Sequence, residues 1–402
     1  PGLLARVPVV IKISNWPPQY VRPQAGINSA DLIFEHYNEG WFATRWTGVY
    51  LGRDPARVGP VRSGRLIDLE IPAIYKGVLA CWGFSDGVLA LFRDSDLYPD
   101  RVVSYSLPET LDPDPFYRDE SRDVPLEHTG YTDPARVRAW AEAHGVSGRQ
   151  DLSGMVFSEE PPAEGEPATY IHIPWRDLNA EWRYDEATGR YLRWSDGTPH
   201  IDALDGRQLG AANVVVLYVP QWDTDIVEDP YSGALSIQFA LWHSNRAIIF
   251  RDGVRIDGFW QRWERWDMLT LTDREGNPIP LKVGNTFFEV IPPEGLEVVV
   301  EPMKGARPRL RQVTATVVPP FAPARPARGG GNGTGEGLCS YASVVYSSSR
   351  TSTISPAGRW SASSGTTARP SACTSELRMP EPWSPVSVAS SPSSVFRSRT
   401  RR

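Results

Sequence analysis

The sequence predicts an α+β protein: an N-terminal mixed α/β domain over residues 1–150, a mainly antiparallel β domain over residues 167–302, and a disordered or out-of-frame tail over residues 303–402. Three observations carry that expectation. Short apolar runs interleave with helical periodicity in the first region, alternating strands joined by Asp-Gly turns fill the second, and hydrophobic periodicity stops after Pro302. A chain of 402 residues suits domains of roughly 100–200 residues each, and a hydrophobic content of 41% is enough for real cores.

Val7-Pro8-Val9-Val10-Ile11-Lys12-Ile13, rich in β-branched residues, is the first predicted strand, closed by the turn residues Ser14-Asn15-Trp16-Pro17-Pro18. Ala30 to His36, Trp46 to Leu51 and Gly77 to Trp82 are the next apolar stretches. Helices are predicted over Gly64–Ile71, Val88–Phe92 and Pro134–His144; in the last, Asp133 reads as an N-cap with proline at the first helical position. The acidic, proline-rich stretch from Glu159 to Pro167 is expected as a linker or long loop. Beyond it Ala168–Ile173 alternates, Val214–Val219 is apolar throughout, and Ala247–Phe250 faces Val254–Ile256 across Arg251-Asp252-Gly253, a strong hairpin signal. Eight tryptophans fall between Trp175 and Trp266, mostly as core fillers, although exposed ones could stack on sugar rings. His200 and Asp202 read as a hydrogen-bonded loop pair.

Charge is split along the chain. Residues 303–402 carry 14 Lys+Arg against 3 Asp+Glu, whereas residues 1–302 carry 28 against 45. An acidic body excludes general nucleic-acid binding, which needs clustered cations to neutralise phosphates. The tail, rich in Pro, Gly, Ser and Thr, buries too little apolar surface to offset ordering entropy of about 1–2 kcal/mol per residue. Cys81 is the body's lone cysteine, and no metal-ligand spacing occurs, so neither a disulfide, a metal nor a cofactor is expected. No apolar run reaches the ~18 residues of a membrane span.

Chemistry concentrates in Gly59-Pro60-Val61-Arg62-Ser63-Gly64-Arg65. With Ser63 as a helix cap, free backbone N–H groups and two guanidinium forks would converge on an anion. Arg22, Arg45 and Arg118 are expected to join Arg62, Ser63 and Arg65 as ligand-binding residues, with structural pairing to Glu35, Glu39, Asp68 and Asp119 as the alternative. Candidates for catalysis are Ser85, in a literal G-x-S-x-G match at Gly83–Gly87, and a Glu35 and His128 pair for proton transfer.

These motifs also carry a resemblance. Arg22-Pro23-Gln24-Ala25-Gly26, Ala30 to Glu35, Glu39-Gly40 with Thr44-Arg45, the Gly59–Arg65 heptapeptide and Tyr117-Arg118-Asp119 resemble the YerB-like bacterial lipoproteins, built from two domains of unknown function. The likeness extends through Tyr191-Leu192-Arg193 and Ile249 to Gly253, covering nearly all of residues 7–295. It implies an extracytoplasmic protein attached to the membrane only through an N-terminal lipid anchor that precedes these residues. The expected function is binding or scaffolding of an anionic glycan, a peptide or an envelope protein through an arginine-lined pocket. The alternative is an envelope hydrolase using Ser85 or the Glu35 and His128 pair, and the residues alone leave enzyme and binder undecided.

Overall fold

Val9–Ser14 (β1) places β-branched side chains on both faces of the chain, the composition of a strand covered on both sides, and all six residues are buried. Leu32–Tyr37 (β2), Thr44–Tyr50 (β3), Asn213–Tyr218 and Thr286–Ile291 are likewise buried along their whole length. The computed structural model describes residues 2–301, and the tail expected over 303–402 lies outside the described residues.

After β3 come the helix Ile67–Ile74, the strand Val78–Ala80 (β4), the helix Asp86–Arg93, the strand Val102–Val103 (β5) and the helix Pro134–Ala143. We name these helices α2, α3 and α4, after the single turn Pro18–Val21 (α1). The second half supplies Tyr170–Pro174 (β6), Asn179–Asp185 (β7), Arg190–Ser195 (β8), Asn213–Tyr218 (β9), Gln221–Asp229 (β10), Ala234–Phe239 (β11), His243–Arg251 (β12), Val254–Arg262 (β13), Thr270–Thr272 (β14) and Thr286–Ile291 (β15). The fold is α+β, as the sequence predicts.

An eleven-stranded sheet runs in the order β14-β13-β12-β9-β15-β2-β3-β1-β4-β5, with Glu166–Pro167 beside β13. Its middle joins the two halves of the chain, because β2 pairs in parallel with β15 and sets Glu35 opposite Glu289. Hydrogen-bonded pairing thus crosses the boundary expected near residues 150–167. That stretch is itself tied down, with Arg251 donating to the carbonyls of Ser158 and Glu160. The hairpin expected at Asp252-Gly253 joins β12 to β13, both turn residues having positive φ.

Side-chain alternation gives this sheet two different inner faces. Lys12, Thr47, Phe34 and His36 look toward α2, where Asp68 and Tyr75 meet them. Glu35, Phe287 and Glu289 look toward a second, six-stranded sheet containing β6, β7 and β8, where Trp182 and Arg193 meet them. Each fully buried Val, Ile or Phe between these layers contributes roughly 1.5–3 kcal/mol. Trp175, Trp182 and Trp260 are core residues, whereas Trp222 and Trp263 are about half exposed.

Two local expectations need correction. α2 begins at Ile67, and Ser63 does not cap it. Asp68 marks the start instead: its side chain accepts the Arg65 N–H at 2.7 Å, three residues upstream, so the helix begins after the heptapeptide. His200 and Asp202 do not bond to each other; His200 bridges Ser195 and Gln24, while Asp202 accepts from the backbone of Gly26 and Asn28.

Candidate functional site

The Gly59–Arg65 segment is held in place by backbone bonds to three neighbours. Pro60 accepts from Ser14 N, Arg62 N donates to Lys12 O, and Gly64 N donates to Gly83 O at 2.8 Å. Arg45 opens β3 directly opposite Ser14 and His36. Strand pairing therefore delivers Arg45 to the end of the sheet where Arg62, Ser63 and Arg65 pass. Gly64 is required here by close approach, because a Cβ would overlap the Phe84 ring and lie 3.2 Å from Cys81 Sγ. Gly64→Ala is expected to cost about 1–3 kcal/mol through overpacking, read as a lower urea midpoint with an unchanged slope.

Carboxylates fill much of the space between the arginines. Glu39, in the turn after β2, accepts from Arg45 Nη2 at 3.1 Å and from Arg65 Nε at 2.8 Å. Arg65 Nη1 reaches Glu228 Oε1 of β10 at 2.7 Å, and both Arg45 and Arg65 donate to the Ser63 carbonyl. Burial opposes the charge on Glu39, yet the two guanidinium groups outweigh it and hold the carboxyl far below its ordinary range. Burial and the neighbouring Arg65 pull Arg45 down to about 9.

Arg62 differs. It is half-buried, its Nη1 donates to the Glu127 carbonyl at 3.1 Å, and among the described residues it has no carboxylate within ion-pair distance. The Ser63 hydroxyl beside it has no partner among the described residues. Glu39 and Glu228 pair directly with Arg45 and Arg65, whereas Arg62 feels the Glu127 carboxylate only from beyond ion-pair distance.

The other predicted site residues are engaged elsewhere. Arg22 pairs with Asp196 at 2.6 Å and lines a cleft of about 250 Å³ with Ser195 and His200. Arg118 stacks over Trp82 at 4.5 Å and donates to Thr129 Oγ1 and the Leu126 carbonyl. Ser85 donates to Glu228 Oε2 at 2.7 Å rather than to a histidine. Glu35 is fully buried and accepts from Asn15, Thr44 and Arg193. His128 stacks on Tyr20 at 5.4 Å and is pulled down to about 4 by burial and by Arg62, so it is neutral near pH 7. The structure does not bring Glu35 and His128 together: no hydrogen bond or ion pair joins them among the described residues.

Sequence reading missed Glu228, which arrives on the separate β10–β11 hairpin, and the two charge clusters of the core. In one, Arg193 bridges Glu35 at 2.6 Å and Glu289 at 3.1 Å. In the other, Lys12 meets Asp68 at 2.8 Å, Thr47 at 2.9 Å and His36 at 2.7 Å. The available signal was a single charge inside each apolar run, at Lys12, Glu35 and Glu289.

Residues 2–147 match the family model described as the N-terminal domain of a protein of unknown function, DUF3048, and residues 171–288 match its C-terminal domain. A protein of Bacillus subtilis (strain 168) named "Putative lipoprotein YerB" is 22% identical over 291 residues, covering 71% of this chain and 82% of the relative. The crystal structure of the YerB protein from Bacillus subtilis superimposes with a TM-score of 0.60 at 20% identity, over 74% of this chain and 95% of the other. At that identity the likeness speaks for the fold.

Proposed function

Because the chain belongs to the YerB-like family of paired DUF3048 domains, we propose that it is an extracytoplasmic lipoprotein of the cell envelope. On this reading it binds an anionic glycan, peptide or envelope partner at the Arg45, Arg62 and Arg65 cluster. One observation supports this most directly: among the described residues the Arg62 guanidinium has no carboxylate at ion-pair distance, and the Ser63 hydroxyl beside it has no partner. A carboxylate or sulfate entering there would meet a charge-assisted fork already fixed by the Glu127 carbonyl. Arg45 and Arg65 supply the field behind it, while Glu39 and Glu228 keep the cluster foldable in the absence of ligand. Lipoprotein character comes from the relative's name, and attachment through a lipid anchor is part of this proposal. No helix among the described residues is long and apolar enough to cross a membrane.

Hydrolysis has less support. The Ser85 hydroxyl is committed to Glu228, and that carboxylate is paired with Arg65, which makes it a poor base. Titrating the protein with muropeptides is expected to show saturable binding that weakens about tenfold in Arg62→Gln, a loss typical of a charge-assisted bond. The melting temperature should stay within a degree or two of wild type, since Arg62 holds no buried carboxylate. Equal affinity in both proteins would dismiss this site.

A further inference from the structure

A second arginine group stands on the opposite half of the sequence. Arg246 of β12, Arg255 of β13 and Arg274, in the turn after β14, line one cleft of about 260 Å³ together with Tyr218 at the end of β9. Its carboxylate is Asp257, and that group is taken by Arg255 through Nε at 3.1 Å and Nη2 at 2.8 Å. The Arg246 guanidinium carbon sits over the Tyr218 ring, 4.2 Å from its centre, a cation–π contact rather than an ion pair. Among the described residues neither the Arg246 nor the Arg274 guanidinium has an ion pair or a hydrogen bond, and the Tyr218 hydroxyl has no bonding partner. An adjoining cleft shares Tyr218 and Arg246 and carries Glu294 and Glu297, neither of which reaches a guanidinium within ion-pair distance among the described residues.

Arg246 and Arg274 are exposed and Arg255 is half-buried, so solvent moderates the repulsion among these guanidiniums, but grouping them on one cleft still costs free energy unless carboxylates offset it. At Arg45 and Arg65 the fold removes that cost with Glu39 and Glu228. Here the carboxylate among the lining residues is Asp257, with Glu294 and Glu297 in the adjoining cleft. We infer that this cleft is a phosphate-class oxyanion site, in which Arg246, Arg274 and the Tyr218 hydroxyl donate directly and Arg255 adds charge from its seat on Asp257. Donors arriving from separate strands and a turn suit a tetrahedral anion, whose oxygens point in several directions, better than a planar carboxylate matched by one fork. The site shares no residue with the Arg62 cluster, so the two stand or fall separately.

Two probes test it on the intact protein: inorganic phosphate, followed by calorimetry, and phosphatidylcholine vesicles with or without phosphatidylglycerol, followed by co-sedimentation. The variants are Arg246→Gln with Arg274→Gln, and, as a charge-matched control, Arg149→Gln with Arg207→Gln. Saturable phosphate binding that falls about tenfold or more in the first variant and not in the control supports a free phosphate ligand. Binding only to vesicles with phosphatidylglycerol, lost in the same variant alone, supports a lipid headgroup as the source of that phosphate. Absence of binding to both probes, or an equal loss in the control, overturns the site, whatever Arg62→Gln does to muropeptide binding.

Discussion

Arg193→Met is expected to lower the unfolding free energy by about 3–5 kcal/mol near pH 8, and by distinctly less near pH 5. Arg193 is the cation between Glu35 and Glu289, which the parallel pairing of β2 and β15 sets side by side in the core. Burial and the Glu35 charge push the Glu289 carboxyl up to about 8 from an ordinary 4.5. Near neutral pH Glu289 therefore keeps its proton beside Arg193. The sign of the pH dependence follows: the folded state keeps a proton that the unfolded chain releases, so this contribution is complete below about 4.5 and lost as pH rises through about 8. Without Arg193 both carboxyls lose their counter-charge, and the penalty grows over that same interval as the protons leave. Urea titrations at the two pH values read the difference, and Glu289→Gln in the Arg193→Met background should recover part of the loss. An equal loss at both pH values would mean that packing against Trp46 and Trp182, rather than charge, explains the effect.

On the other face of the same sheet, Asp68→Asn is expected to cost about 3–5 kcal/mol near pH 7. Asp68 accepts from Thr47 and from the Arg65 backbone as well as pairing with Lys12, whose ammonium is fully buried. His36 cannot substitute as a counter-ion. Its Nδ1–H donates to the Tyr37 carbonyl, its Nε2 accepts from Lys12, and burial keeps the ring neutral by holding its pKa far below the ordinary value. Burial, partly offset by Asp68, brings Lys12 down to about 8 from 10.5. Above that pH the wild-type folded state has already lost the ammonium, so the cost of Asp68→Asn should shrink between pH 7 and pH 10. Because Asp68 also holds the Arg65 backbone at the end of the heptapeptide, the variant should weaken muropeptide binding at temperatures where it remains folded. A cost that does not change across pH 8 would refute the charge argument.

Both pairs show what a linear reading can reach. Lys12 within Val9–Ile13 and Glu289 within Phe287–Ile291 are visible as isolated charges in apolar strands, which marks them as buried and partnered. Their partners are not visible, since Asp68 lies 56 positions beyond Lys12 and Arg193 lies 96 before Glu289. The candidate site divides in the same way. Arg62, Ser63 and Arg65 are neighbours in the chain, and Arg45 opens a predicted strand, so their gathering could be anticipated. Glu39 was in view as a possible ion-pair partner, but that one carboxylate would clamp both Arg45 and Arg65 was not. Glu228 could not be foreseen at all, because a hairpin that forms no sheet pairing with any other described strand carries it there.

Alternation, turn residues and capping by themselves determined the class of the fold, most strands, the helix behind Asp133 and the hairpin at Asp252-Gly253, because each is set by interactions within a few residues. Only the tertiary structure decided that β2 and β15 are neighbours, that Arg45 and Arg65 carry internal counter-ions, and that Arg62 has none at ion-pair distance among the described residues. Charge compensation acts across a few ångströms of space, and in this protein those ångströms join groups 6 positions apart, as Glu39 and Arg45 are, and groups 158 apart, as Glu35 and Arg193 are.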